Sequence, residues 1–199
     1  MPLDPKAPGA EAAAIEALAR AAAAGDRAAF APLVERLAPG LHRFAARLLS
    51  DPAEAEDVTQ ESFTRLWRML GDGSGGEAPR APVRPWLYRT ARNLCIDRLR
   101  RRGRLVEETA ARAETTQDPA PTPEAVTAER EAAADLHRAI EGLPERQRSA
   151  LLLVHIEGLS GRETAAILDA SEEAVESLLA RARRSLRAAL RPSFGENER

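Results

Sequence analysis

The side chains of this sequence best equipped to do chemistry are its arginines, and their spacing suits binding of anions rather than bond breaking. Between Arg84 and Arg104 stand eight arginines and one aspartate, a net charge of +7. From Leu105 to Asp135 eight acids face two arginines, net −6, and Arg181 to Arg191 holds five arginines and no acid. The whole chain carries only −2, which taken alone points away from nucleic acid. Segregation into blocks is more informative than the total, and it points to local anionic contacts. Catalytic sets do not assemble. His42, His137 and His155 are scattered without metal-ligand spacing, and Cys95 is the only cysteine, so an intrachain disulfide and a multi-cysteine metal site are both excluded. The glycine-rich run from Gly71 to Gly76 follows a helical pattern rather than a strand, so it does not read as a phosphate loop. The expectation is a binding protein with no catalytic residues, no cofactor and no metal.

The elements that must position these charges read as helices throughout. Aromatic residues make up only 4% of the 199 residues, and a core of alanine and leucine favours close-packed helices over sheets. Helical signals run over Glu11–Ala24, from Asp26 to Leu37 with Pro39-Gly40 as terminator, and over Leu41–Leu49. Asp51 then offers an N-cap with Pro52 at the first helical position and Glu54 three residues on, starting a helix to about Leu70. After the loop Gly71–Pro82, a helix spans about Val83 to Arg102, with Gly103 as its stop. In the second half, helices are expected over Glu124–Glu141, Pro144–Glu157, Gly161–Leu168 and Glu172–Leu190. The fold class is all-α, with two small helical domains. An N-terminal extension over 1–25 precedes the first domain at 26–104, an acidic linker covers 105–123, the second domain covers 124–191, and 192–199 form a frayed tail. The N-terminus lacks a basic segment followed by an apolar run, and no stretch approaches the ~18 apolar residues of a membrane span, so a cytoplasmic protein with no membrane insertion is expected.

In the second half, Ser160 and Glu163 form a capping box, and Ser171 caps a longer helix after a turn of about three residues. Two helices joined so tightly read as a helix-turn-helix, whose second helix enters the major groove, or as a plain αα-hairpin with a solvated arginine face. The segment resembles region four of sigma factors and also the DNA-binding domain of LuxR-type regulators. The first half separates them. Residues 53–70, AEAEDVTQESFTRLWRML, resemble the polymerase-binding helix of sigma region two, and residues 83–104, VRPWLYRTARNLCIDRLRRRGR, resemble that region's promoter-reading helix. Together the three motifs identify the chain as a member of the extracytoplasmic-function group of the sigma-70 family.

That resemblance implies an alternative sigma factor that binds core RNA polymerase and directs promoter-specific initiation, in a stress or envelope response and under the control of an anti-sigma factor. It implies polymerase contacts at Asp57, Gln60, Glu61, Phe63 and Trp67. Asp57, Gln60 and Glu61 also share a helix face by their spacing, with Phe63, Leu66 and Leu70 on another that can pack inward. The minus-ten element would fall to Arg84, Trp86, Arg89, Arg92, Asn93, Arg100 and Arg101, with the Gly71–Pro82 loop holding a flipped base. Trp86 can be core or a stacking platform, and Asn93 can contact a base or make a structural hydrogen bond. The minus-thirty-five element would fall to Ser171, Glu172, Glu173, Glu176, Ser177, Arg181 and Arg184. Here the chain departs from the family's common pattern. Glu172-Glu173 replace a Val-Gly pair and Glu176 replaces a lysine, so these glutamates either complement the helix dipole or accept a hydrogen bond from cytosine. The acidic linker would thread towards the polymerase active-site cleft. The acidic recognition helix also fits a different function, a sigma-like decoy that sequesters an anti-sigma factor without binding DNA.

Overall fold

The computed structural model describes residues 8–74, 81–110 and 128–194, and every regular element among them is helical. In chain order these are α1 (Pro8–Ala23), a 3₁₀ turn (Arg27–Ala29), α2 (Phe30–Leu49), α3 (Pro52–Met69), α4 (Val83–Ala110), α5 (Ala128–Glu141), α6 (Glu145–Leu151), a π turn (Leu152–Ile156), α7 (Gly161–Leu168) and α8 (Glu172–Phe194).

The first unit is built on α2. Leu33, Leu37, Leu41, Phe44, Ala45, Leu48 and Leu49 form its buried stripe, and α3 and α4 pack on it. This stripe explains why the expected break at Pro39-Gly40 does not occur. Proline in a helix interior costs about 3 kcal/mol. The apolar period nevertheless continues in phase from Leu37 to Leu41, and breaking the helix would expose Leu41, Phe44 and Leu48, each worth about 1.5–3 kcal/mol when buried. Burial therefore wins. The expected stop at Gly103 fails for a related reason. Nothing lies within 4 Å of a Cβ added there, and a solvated glycine costs a helix only about 1 kcal/mol, too little to end a helix anchored one residue earlier.

That anchor is Arg102. Its guanidinium donates to Asp51 Oδ2 at 2.7 Å, to Glu54 Oε1 from Nε at 3.2 Å, and to the Leu49 carbonyl at 3.1 Å. One side chain on α4 thus satisfies the carbonyl end of α2 and the acidic start of α3, where Ser50 turns the chain with a φ of 55°. Asp51 is the N-cap expected from sequence, accepting from the Ala53 and Glu54 amides at 3.0 Å each.

In the second unit, the π turn occupies a stretch expected to be plain α-helix. Ser160 and Glu163 make the expected capping box, Asp169 turns the chain with a φ of 52°, and α8 begins at Glu172 as expected. It runs on to Phe194, through the Pro192 where fraying was expected. Leu143, Leu151 and Ala182 cluster where α5, α6 and α8 meet.

Arg102→Ala should lower unfolding stability by about 1–2 kcal/mol, and Arg102→Lys should restore little, because one ammonium cannot span three acceptors. The Asp51 carboxyl is held below its usual pKa first by the Glu54 amide, helped by Arg102. A depressed carboxylate stabilises the fold above its unfolded pKa, and that contribution disappears as pH falls through the lower folded value. Asp51→Asn should therefore flatten the acid limb of a denaturation-versus-pH series, and an unchanged limb would show that the corner contributes nothing.

Candidate nucleic-acid interface

Leu87, Ala91, Leu94 and Cys95 give α4 one buried edge, so its arginines are confined to the remaining circumference. Burial also pushes the Cys95 thiol up to about 12, which keeps it protonated and inert. The start of α4 has no local cap, since Ala81-Pro82 precedes it and Pro85 lacks an N–H. The Val83 amide instead donates to Glu16 Oε1 of α1 at 2.7 Å. This contact fixes α1 against the start of the arginine helix. Sequence reading missed it, because the two residues lie 67 positions apart and no local pattern links them.

The arginines then divide into groups. Arg100 and Arg101 are exposed at the C-terminal half of α4, as is Asn93 further back. Arg98, Arg101 and Leu94 line one open groove together with Asp57, Gln60, Glu61, Thr64 and Arg65 of α3. The acidic face of α3 and the basic face of α4 thus lie side by side. Glu61 pairs with Arg65 at 2.8 Å, and Gln60 donates to Glu56 at 3.3 Å, both on the exposed surface. Arg84, Arg89 and Arg92 lie nearer the start of α4 and are directed at the second unit. Arg92 donates to both oxygens of Glu145 at 2.8 and 3.0 Å, and its side chain is only 11% exposed. Arg84 Nη2 donates to the Glu157 carbonyl at 2.6 Å, and Arg89 approaches Asp169 at 3.7 Å. Arg102, one of the eight counted in the basic block, is committed to the α2–α3 corner.

The rings are mostly structural. Phe63 is 7% exposed and meets Phe30 edge to face at 6.5 Å, so it can support a docking face only from beneath. Trp67 is half-buried against Phe30 at 4.8 Å. It also abuts Gly73, where an added Cβ would lie 2.8 Å from the indole, and Gly73 has a φ of 72°. Arg27 donates to the Gly73 carbonyl at 3.1 Å, so Arg27 and Trp67 pin the start of the Gly71–Pro82 loop. Residues 75–80 of that loop lie outside the described residues, as do 111–123 of the expected acidic linker and 124–127 at the start of the expected second domain. Trp86 is half-buried against the core.

On α8, Val175, Leu179 and Ala182 are buried, and Glu173, Glu176, Ser177, Arg181 and Arg184 stand exposed on the outer side. Ser171 Oγ accepts from the Ala174 amide at 3.2 Å, and its hydrogen bond to Glu173 holds that carboxyl below its usual range. Glu172 is also exposed in the first turn. The helix therefore presents acids in its first turns and arginines in its later ones. Among the described residues no cluster of His, Cys, Asp and Glu could hold a metal, and no helix is long and apolar enough to cross a membrane.

Comparison with known proteins agrees with both halves. Residues 33–105 match the family model for sigma-70 region 2, and residues 133–186 match that for sigma-70 region 4. The chain is 37% identical over 170 residues to the ECF RNA polymerase sigma factor SigE of Mycolicibacterium smegmatis, covering 83% of this chain and 64% of that protein's length. It is 33% identical over 180 residues to the RNA polymerase sigma-H factor of Pseudomonas aeruginosa, covering 86% of this chain and 91% of that one. Among solved structures, CnrH in complex with the cytosolic domain of CnrY matches with a TM-score of 0.66 at 30% identity, covering 90% of this chain and 98% of that one. The sigma factor RpoE of Bartonella quintana, in complex with the anti-sigma factor NepR, matches with a TM-score of 0.62 at 25% identity, covering 81% and 96%.

The glutamates of α8 can be sorted by charge removal. Glu173→Gln should leave base preference unchanged, because its carboxylate is engaged by the Ser171 cap. If Glu176, one turn further on, reads a cytosine, Glu176→Gln should relax preference at one base pair by about 1–3 kcal/mol. Binding to a library randomised over the upstream element measures both, and a preference altered only in the Glu173 variant would reverse the assignment.

Proposed function

This chain belongs to the extracytoplasmic-function group of sigma-70 family RNA polymerase sigma factors, and from that premise we propose how its two halves divide promoter recognition. The first unit, residues 26–104, docks on core polymerase through α3 and engages the minus-ten element through α4. The second unit, residues 124–191, grips the minus-thirty-five element as duplex through α8, and residues 105–123 link them. The chain's part is recognition and strand opening rather than catalysis, and a polymerase partner makes the cytoplasm its place of work.

The observation that carries this reading is the shared groove between α3 and α4. Asp57, Gln60 and Glu61 form an acidic and amide edge suited to a basic helical surface of the polymerase. Across the groove Arg98 and Arg101, with Arg100 beyond, offer positive charge to a DNA backbone. One domain can therefore hold polymerase on one rim and DNA on the other, and place the strand to be opened next to the enzyme. Phosphate contacts of this kind fix register, while sequence is read by rings and polar groups near the start of α4. Trp86, Asn93 and the Gly71–Pro82 loop are the candidates. Both matched structures were solved with a bound protein, the cytosolic domain of CnrY in one and the anti-sigma factor NepR in the other. By analogy an anti-sigma factor controls this chain as well.

Asp57→Arg combined with Glu61→Arg should abolish co-purification with core polymerase. Helicity should be retained, because the Glu61–Arg65 pair is an exposed one worth only about 0.3–0.5 kcal/mol. Normal co-purification would refute the docking face. Arg100→Ala with Arg101→Ala should weaken holoenzyme binding similarly across promoters and reduce the salt slope by roughly 0.7 per lost single-strand contact. With core polymerase, the unaltered chain should give start-site-specific transcripts. Polymerase binding without any such transcript would favour the decoy reading instead.

A further inference from the structure

We infer that α1 and the 3₁₀ turn form a bracket that holds both described ends of the Gly71–Pro82 loop, with Glu16 and Arg27 as positioning residues for reading of the minus-ten element. This inference rests on the reading of α4 and its loop given above. The segment from Pro8 to Ala29 lies ahead of residues 33–105, which match sigma-70 region 2. Neither Glu16 nor Arg27 belongs to any of the three sequence motifs. Both nevertheless reach the two places where the loop leaves and re-enters the helical core.

At the point of re-entry, α4 begins without a partner of its own. Its first turn contains no acid, Pro85 has no N–H, and Val83 is fully buried. A buried amide left unpaired is costly, so whatever accepts from Val83 decides where α4 begins. Glu16 Oε1 is that acceptor, at 2.7 Å. The carboxylate is held in place because Ile15, Ala19, Ala22 and Ala23 bury one face of α1 in the same core cluster as Val83, Leu87 and Ala91. Three residues beyond Val83 stands Trp86. Its amide donates to the Pro82 carbonyl at 3.3 Å, and its carbonyl accepts from the Thr90 hydroxyl at 3.0 Å. The indole, the loop end and the capped amide thus belong to one turn, and a displaced Val83 carries Trp86 with it.

At the point of departure, the chain passes through Gly71, Asp72 and Gly73 with φ values of 93°, 51° and 72°. The Asp72 amide donates to the Trp67 carbonyl at 3.1 Å and the Ser74 amide to the Gly71 carbonyl at 2.9 Å, which coils the first loop residues onto the end of α3. Arg27 closes this coil from the other side. Its Nε donates to the Gly73 carbonyl at 3.1 Å, and a Cβ at Gly73 would lie 2.6 Å from Arg27 Cγ and 2.8 Å from the Trp67 indole. Glycine fits between those two side chains without displacing either, and its positive φ suits the turn. Arg27 opens the 3₁₀ turn, which Asp26 caps by accepting from the Ala28 amide at 3.0 Å. The Asp26 amide in turn donates back to the Ala21 carbonyl of α1 at 3.0 Å. Glu16 and Arg27 are therefore two arms of one continuous piece. Phosphate contacts carry no sequence information, whereas a base is told from another only by groups held at a fixed span, and the bracket fixes that span.

The test uses holoenzyme assembled from core polymerase and the full chain, bound to a promoter library randomised over the minus-ten element. Glu16→Ala removes the acceptor, while Glu16→Gln keeps a carbonyl oxygen for the Val83 amide. Arg27→Ala releases Gly73 without touching the core, since Arg27 is exposed. Circular dichroism and co-purification with polymerase check that each variant is folded and docked. Glu16→Ala and Arg27→Ala should each relax preference at one or more minus-ten positions by at least about fivefold, the lower end of what one mismatched base pair costs. Glu16→Gln should keep the parent's profile. A merely structural role would weaken binding to every sequence in proportion, and such an unchanged profile in the folded alanine variants would overturn the bracket. Relaxation as large in Glu16→Gln as in Glu16→Ala would overturn it too, since the retained acceptor would then count for nothing. Should Glu16→Ala fail to fold, Arg27→Ala decides, and an unchanged profile there is again fatal to the bracket. A parent chain that binds polymerase yet shows no minus-ten preference would refute the reading of α4 itself, and the bracket with it.

Discussion

A helix that carries a net charge of +7 over residues 84–104 and must also bury one edge leaves few ways to fold around it, and α4 is that helix. Its apolar edge, Leu87, Ala91, Leu94 and Cys95, is needed to close the core against α2 and α3, so the arginines are driven onto the remaining surface. Each must then be hydrated, paired with an acid, or matched to an anion from outside, because an unpaired buried guanidinium is prohibitively costly. Two of these solutions are visible along α4. Arg102 is paired within its own unit and holds the α2–α3 corner. Arg84 and Arg92 are paired with the second unit. Arg100 and Arg101 are exposed.

The same constraint accounts for elements that otherwise look unrelated. Glu16 of α1 caps the start of α4, which lacks a local cap, so the N-terminal helix orients α4. Arg27 and Trp67 fix the beginning of the loop that leads into it. Gly40 and the π turn exist at the two sides of one buried carboxylate that faces Tyr88 and Arg43. A pair between a buried carboxylate and a half-exposed guanidinium adds little net stability, since desolvation of the carboxylate offsets most of the attraction.

Much of this was legible in the sequence wherever the deciding interaction is local. The Asp51 cap, the Ser160–Glu163 capping box and the start of α8 lie within a few residues of the helices they begin, and they were read correctly. The three sigma motifs are likewise continuous stretches. What escaped was decided across the fold. Pro39-Gly40 and Gly103 look like helix breakers, yet the in-phase burial of Leu37 and Leu41 and the anchoring of Arg102 carry both helices through. Arg84 and Arg92 look like phosphate ligands of the same kind as Arg100, and only the second unit distinguishes them. Glu157 has no signal in its neighbourhood, because its meaning depends on Gly40, Arg43 and Tyr88, more than 60 residues away. Phe63 matches a polymerase-binding motif as a residue type, but its position inside the core limits it to supporting that face.

The central claim is that α3 docks on polymerase while α8 grips promoter DNA. Hydrogen–deuterium exchange on the full chain tests this most directly, comparing the free protein, the core-bound protein and the promoter complex. The account predicts that amides of α3 gain protection on binding core polymerase and that those of α8 gain it only when promoter DNA is added. Protection of α3 that stays at its free-protein level in the core-bound protein would contradict the account, because polymerase would then be held by another face.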